Sequence, residues 1–481
     1  MKKQTILFAL AAVILGSSCK KNTVNDDNPP IVQPPVSTTV DVTADITANT
    51  TWKADKIYLL KNIVNVTSGA TLTIEAGTLI KGDKASKATL VINRGGKIEA
   101  VGTADKPIVF TSNQPAGARS AGDWGGIILL GKAPNNQGSS QPIEGIPTDA
   151  SGKASYGGTD AADNSGTLKY VRIEYAGVPL TPDNEINGLT MGSVGSGTTI
   201  DYVQVTRSGD DSFEWFGGTV NCKHLIAVGA VDDDFDTDFG YAGKVQFALT
   251  QRYLTLADVS GSNGFESDND GSGSVKMPQT SAVFSNVTVL GPLSSASISG
   301  INANYQHAAQ IRRNSSISIL NSVFAGYTEG IYIDDSRVAV AKSTSANFLA
   351  GNLVFQNNLV YGSNFKLNEV KGENKADFET TLRATNTFDA TKFADALITD
   401  PFKYPGDIIA ASTNKVGKPV LSAKVGSAAE AGAVFTHAKV ADTFFEKVAF
   451  RGAIGGATDW TTNWTNFDPQ MMPYDGPGKV K

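Results

Sequence analysis

Gly209-Asp210-Asp211-Ser212-Phe213-Glu214-Trp215-Phe216-Gly217-Gly218 is followed, 22 residues on, by Val231-Asp232-Asp233-Asp234-Phe235-Asp236-Thr237-Asp238-Phe239-Gly240. In this alignment Asp210 falls on Asp232, Asp211 on Asp233, Phe213 on Phe235, Glu214 on Asp236 and Gly218 on Gly240. Just upstream, Val203-Gln204-Val205 falls on Leu225-Ile226-Ala227 and, at the same step, on Phe247-Ala248-Leu249. Phe265-Glu266-Ser267-Asp268 repeats the phrase once more after an insertion. A period near 20 residues, with short apolar runs between Gly and Asp turns, predicts a solenoid whose strands stack coil upon coil. Its carboxylates then form a ladder.

Outward from this stretch the texture is the same. Ile57–Leu60, Ile63–Val66, Ala70–Ile74, Thr78–Ile80, Ala88–Ile92, Lys97–Ala100 and Ile108–Phe110 are short runs rich in Val, Ile and Thr, punctuated by Gly69, Gly77, Gly82, Gly95 and Gly102, and Trp124–Gly131 continues the pattern. Runs this close together leave no room for crossover helices, so parallel neighbours must be joined by tight corners. The polar, glycine-rich stretch Lys132 to Gly166 interrupts the pattern and reads as a long excursion from one corner, since strands resume at Leu168–Ile173. Later strands are expected at 286–289, 316–319, 330–333 and 357–361. The fold class is all-β: a parallel β-helix solenoid over 43–363, with long corner loops on one side.

Beyond Ser363 charges and apolar residues mix at helical spacing, with Phe378, Leu382, Phe388, Phe393 and Leu397 as a candidate helical set. An open coil end exposes strand edges and core, so 364–481 is expected to be a C-terminal cap. Trp460 to Phe467 offers an aromatic surface for sugar, although docking of the tail onto the coil is the simpler use of those rings.

The chain of 481 residues carries a net charge of -6 and an isoelectric point near 5.3. It has no overall basic field, so no nucleic-acid partner is expected. Lys2 and Lys3, the apolar run Ile6 to Leu15 and the small residues Gly16-Ser17-Ser18 before Cys19 read as an export signal over 1–18. This segment resembles a bacterial lipoprotein signal, with Leu15 one place further from Cys19 than the usual leucine. The resemblance implies lipidation of Cys19 and a membrane partner through that anchor. Residues 19–42, with Asp26-Asp27, Pro29-Pro30 and Pro34-Pro35, read as a solvated tether. With Cys19 assigned, Cys222 stands alone and no disulfide framework exists. It falls where Ile200 sits one coil earlier and reads as a small buried residue.

Short coils with asparagine near the corners, at Asn221, Asn286, Asn321 and Asn357, resemble the right-handed parallel β-helix of pectin-lyase-like proteins. The phrases Gly209–Gly218, Asp232–Tyr241, Gly264–Asp270 and Trp460–Gln470 are similar to a family of Bacteroidota cell-surface lipoproteins. That resemblance implies lipid anchoring at the outer membrane and display at the cell surface. It implies no particular chemistry.

The chemistry must come from the acids. Between Gly209 and Asp270 there are twelve acids against three bases, a local charge of -9 in a chain of -6. Strands of stacked coils lie ~4.8 Å apart, where two carboxylates repel by ~3 to 4 kcal/mol at an effective dielectric of 20. Stacking Asp210, Asp211 and Glu214 on Asp232, Asp233, Asp236 and Asp238, with Glu266, Asp268 and Asp270 beyond, calls for a cation or for full exposure. Calcium suits this all-oxygen set. Zinc and copper want His or Cys, and His224 is the only histidine in the segment. A solvated acidic face is the plainer alternative.

Glycosidases of the resembled fold use clustered aspartates, and Gly209-Asp210-Asp211 looks like part of that pattern. A Gly-His-Gly on the next coil and an Arg-x-Lys after it are absent. If the protein is an enzyme, Asp210, Asp211, Asp233 and Arg252 are the candidate catalytic residues. In a lyase, calcium would join an arginine base, Arg207 or Arg252. Arg312-Arg313 reads as a solvated basic edge. Two functions follow: a calcium-stabilised surface module that binds a polysaccharide or a surface protein, or a β-helix lyase or glycoside hydrolase. A purely structural surface protein is a third.

Overall fold

Each coil lays short strands on three faces, and each strand pairs in parallel with its counterpart one coil on. The computed structural model describes residues 38–147, 152–181, 184–339, 343–363, 366–370, 375–402, 419–456 and 458–481. The signal segment, Cys19 and most of the tether lie outside the described residues. One coil runs Thr199–Thr206 along the first and second faces, crosses the third as Phe213–Phe216, and re-enters the first at Asn221–Val228. The first two faces form one 17-stranded sheet and the third a separate ten-stranded sheet. This is the parallel β-helix expected.

The bend between the first two faces lies inside the strand. Asp201 pairs with Lys223 and Val203 with Leu225, so Tyr202 and His224 are skipped. The residues at this bend are Tyr170, Tyr202, His224, Phe247, Asn286, Asn321 and Asn357, all with φ between 52° and 62°. Asparagine tolerates this left-handed conformation and bulky rings seldom adopt it. The rings stack instead, with centroids 4.3, 4.1 and 5.3 Å apart from Tyr170 through Tyr202 and His224 to Phe247. Three of the four corner asparagines thus occupy the bend. Asn221 opens a first-face strand and accepts the Lys244 N–H at 2.9 Å.

The 22-residue step holds for Glu214 over Asp236 and Val203 over Leu225. It fails at the next coil, where Leu225 pairs with Ala248 instead of Phe247. The corner Phe239–Gly243 is one residue longer than Gly217–Val220, and a corner can absorb an insertion that a paired strand cannot. Alternation in each strand sends one set of side chains inward. Phe213, Phe235 and Phe265 are register partners along the interior, with ring centroids 5.7 and 5.1 Å apart. Cys222 is fully buried and pairs with Ile200.

The coil extends past both expected limits. Thr39–Val42, the last part of the expected tether, already pairs with Ile57–Leu60. At the other end Thr387–Asp389 pairs with Leu359–Tyr361. Between them helix α1 (Ser343–Leu349) and helix α2 (Lys375–Thr385) cover the core, with Phe378 and Leu382 of α2 fully buried in it. Phe388 lies on the last strand, and Phe393 and Leu397 flank a short turn.

The rest of the expected cap takes another course. Second-face residues Ile226, Leu249, Leu290, Val323 and Leu359 point outward and are buried by Leu397, Leu421, Ala423, Ile454 and Trp464 of the tail. An apolar outer face has to be covered, and the tail does this by running back along the coil until Tyr474 and Val480 pack on Ile57, Leu79 and Val109. Outward glutamines hold it. Gln204 donates to the Asn466 carbonyl at 2.7 Å and accepts its N–H at 2.9 Å, and Gln246 makes the same pair of bonds with Glu446 at 2.8 Å each.

Candidate functional site

On the third face Phe213 and Trp215 enter the core, which turns Glu214 outward. Its register partners are Asp236 and then Glu266 on the two following coils. Thr190 precedes this column and Gln310 and Tyr332 continue it. Three consecutive rungs, Glu214, Asp236 and Glu266, are therefore acidic, and an acid returns to the register only at Glu369, beyond Gln310 and Tyr332.

A second column runs along the corner that feeds this face. Asn187 Oδ1 accepts the Asp211 N–H at 3.2 Å, Asp211 Oδ1 accepts the Asp233 N–H at 2.7 Å, Asp233 Oδ1 accepts the Asn263 N–H, and Asn263 Oδ1 accepts the His307 N–H at 3.0 Å. Each rung satisfies a buried amide that the turning backbone leaves without a strand partner. Asparagine suffices at both ends of this ladder. At Asp211 and Asp233 the second oxygen adds a negative charge that the ladder does not need.

The two columns meet. Asp210, Asp211 and Asp232 each place a carboxylate oxygen within 4.8 Å of the others, and so do Asp211, Glu214 and Asp236. Asn187 Nδ2 donates to Glu214, and Ser260 donates to Asp232 at 3.0 Å. The Asp232 Oδ1 and Asp236 Oδ1 atoms are buried without a hydrogen-bond donor. Oxygens bound to one calcium ion at 2.3–2.6 Å lie no more than about 5 Å apart, and the donors here are all hard oxygens. The residues fit such an ion, with Asp211 shared between the two groups.

Burial, followed by repulsion from the neighbouring carboxylates, pushes Asp210, Asp211, Glu214 and Asp233 well above the usual carboxylate range. Burial and the Asp258 charge bring Asp232 to about 6. Burial and the Asp268 charge bring Asp236 to about 8, against the partial relief given by Arg312. Without a bound cation this cluster therefore holds protons near neutral pH.

The other expected ligands are not in this group. Glu266 and Asp268 are ion-paired with Arg312, and Asp268 also with Arg313. Burial outweighs the Arg313 pairing and leaves Asp268 at about 7. Asp270 caps a turn, accepting from Ser272 and Ser274, and those bonds outweigh burial to lower its pKa. Asp238 lies on the neighbouring outward row, its pKa raised by burial and by Asp268.

The arginines exchange roles. Arg252 is 1% exposed, paired with Asp234 at 3.1 Å, and donates to the carbonyls of Ala230, Asp232 and Asn263. It is a structural cation that cannot reach a substrate, which removes it as a lyase base. Arg207 lies against the Tyr253 ring, 4.8 Å from its centroid. Arg312-Arg313, expected as a solvated edge, instead neutralises the far end of the acidic column, because outward alternation in His307–Arg312 aims Arg312 at Glu266 and Asp268.

The long excursion folds back onto the third face just before the acids. Its Ile143, Ala154 and Tyr156 pack on Val91, Ile128, Leu130 and Phe216, and Asn136 Nδ2 donates to the Asn269 carbonyl at 2.7 Å. Asn187, Asn263 and Arg312 were not among the expected site residues. A signal for the first two exists: Asn187-Gly188-Leu189 and Asn263-Gly264-Phe265 match Asp211-Ser212-Phe213 and Asp233-Asp234-Phe235 once the spacing is allowed to vary.

Residues 44–398 match the family described as pectate-lyase like beta helix domain. No curated protein matches the sequence. Among solved structures, pectate lyase Pel9A is similar with a TM-score of 0.38 and 11% identity, over 83% of this chain and 88% of that chain. The catalytic domain of a GH87 alpha-1,3-glucanase, in complex with tetrasaccharides, is similar with a TM-score of 0.26 and 13% identity, over 76% of this chain and 70% of that chain.

Proposed function

The chain belongs to the pectate-lyase-like β-helix family, and from that premise we propose that its acidic third face binds calcium and, through it, an anionic polysaccharide. The observation that carries this reading is the pair of three-carboxylate groups joined at Asp211, with Asp232 Oδ1 and Asp236 Oδ1 buried and undonated. A cation there relieves the mutual repulsion, and its remaining coordination positions suit carboxylates of a sugar chain. Titration calorimetry with calcium tests the reading: saturable binding that Asp236→Asn weakens supports it, and the absence of heat together with an unchanged melting temperature removes it.

Glycan cleavage is a second reading, favoured by one observation. Carboxylates that retain a proton near neutrality, Asp232 at about 6 and Asp236 at about 8, are suited to general-acid work. Release of reducing ends or of unsaturated products from acidic polysaccharides, lost in Asp211→Asn, would establish it. We also propose that Cys19 carries a lipid that holds the protein at the outer membrane, facing the cell surface. Cys19→Ser should move the protein from the membrane to the soluble fraction.

A further inference from the structure

Where the returning tail crosses the ring ladder it leaves a cavity of about 430 Å³, lined by Tyr202, His224, Phe247, Phe450 and Trp460, with Glu446, Thr458, Gly455 and Gly456 among its other residues. It sits on the bend of the first two faces and has no residue in common with the acidic cluster. Five rings around one space are more than tail docking requires. Trp464 already does that work, fully buried with its ring edge-on to Tyr170 and Tyr202 at 5.9 and 6.0 Å. Trp460 is only half-buried, tied through Nε1 to the Ala453 carbonyl at 2.9 Å, with its ring 4.9 Å from His224. His224 and Phe247 adopt a left-handed backbone that asparagine supplies at lower cost on the later coils.

We propose that this cavity is a second, metal-independent binding site for a neutral hexopyranose unit of a saccharide chain. Charge decides the class. The only carboxylate on the lining, Glu446, is paired with Lys223 at 2.7 Å, and His224 Nδ1 is held by Asp201 at 2.7 Å. The site therefore offers no net negative charge to a cationic ligand and no free cation to an anionic one. It offers ring surfaces beside the Glu446 carboxylate, the Thr458 hydroxyl and glycine backbone. A pyranose has the matching surface, with apolar C–H faces and hydroxyls around its edge. The volume lies within the range of pockets that enclose small ligands.

Gly456 gives a clean test. It is exposed, its φ is not left-handed, and a Cβ there meets nothing closer than the Ala423 carbonyl at 3.9 Å, so Gly456→Leu adds bulk at the lining without straining the fold. The full chain is titrated with cellotetraose, maltotetraose, laminaritetraose and mannotetraose in excess EDTA, following heat and tryptophan fluorescence. The expected result is saturable binding of at least one of them, weakened tenfold or more in Gly456→Leu at unchanged melting temperature. No binding of any of the four at millimolar concentration, or binding indifferent to Gly456→Leu, overturns the proposal. Saturable binding of tetramethylammonium lost in the same variant also overturns it, since the cavity would then be a cation cage. Because EDTA is present throughout, none of these outcomes depends on the calcium reading of the third face.

Discussion

Glu214 and Asp236 are register partners on adjacent strands of the third face, and both side chains leave the coil on its outer side. Two carboxylates a strand spacing apart, with Asp211 beside both, set the electrostatics of that face. Every expectation about calcium rests on this pairing.

Calcium affinity should therefore fall at least tenfold in Asp236→Asn and in Asp211→Asn, and less than threefold in Asp270→Asn, whose carboxylate is occupied by serines. Calorimetry checks this. Saturating calcium at a hundred times its Kd should stabilise the fold by about 2.7 kcal/mol in a melt.

In EDTA, stability should decline as pH rises. The native cluster binds more protons than the unfolded chain, since Asp232 titrates near 6 and Asp236 near 8 against 3.8 for a free aspartate. Stability is then full below about pH 4 as far as these groups contribute, and is lost progressively above it, by about pH 6 for Asp232 and about pH 8 for Asp236. Melts at pH 5 and pH 8 should show the drop, and calcium should abolish most of it.

The corner ladder distinguishes acceptor from charge. Asp233→Asn keeps an oxygen for the Asn263 N–H and removes a crowded charge, so in EDTA its melting temperature should equal or exceed that of the parent. Asp233→Ala strands that buried N–H and should cost about 1–3 kcal/mol by denaturant titration.

Arg252→Met should destabilise by about 3–5 kcal/mol, because it leaves the fully buried Asp234 without its partner. Adding Asp234→Leu should restore much of that loss. Calcium affinity should stay within threefold of the parent in the double variant, which separates a structural arginine from one that works at the site.

Trp464→Ala should cost about 3–5 kcal/mol, the penalty for emptying a large buried aromatic site. Trp460→Ala should cost clearly less, because Trp460 is only partly buried. Equal losses would mean that both rings serve only to dock the tail.

The sequence by itself determined the coil, the stacking of Glu214 on Asp236 and the all-oxygen character of the face, because a strand pairing fixes neighbours wherever the coil length is constant. Where length varies, adjacency cannot be read from spacing. That is why Phe247 slips against Leu225, why spacing does not align Asn187 and Asn263 with Asp211 and Asp233, and why it does not place Arg312 opposite Glu266, 46 residues away. Only the tertiary structure decided which acids converge, that Arg252 points inward, and that the tail returns along the second face to enclose a ring-lined cavity. These outcomes depend on which side chains the corners turn inward and on which apolar face is left to be covered, and neither is encoded in a local period.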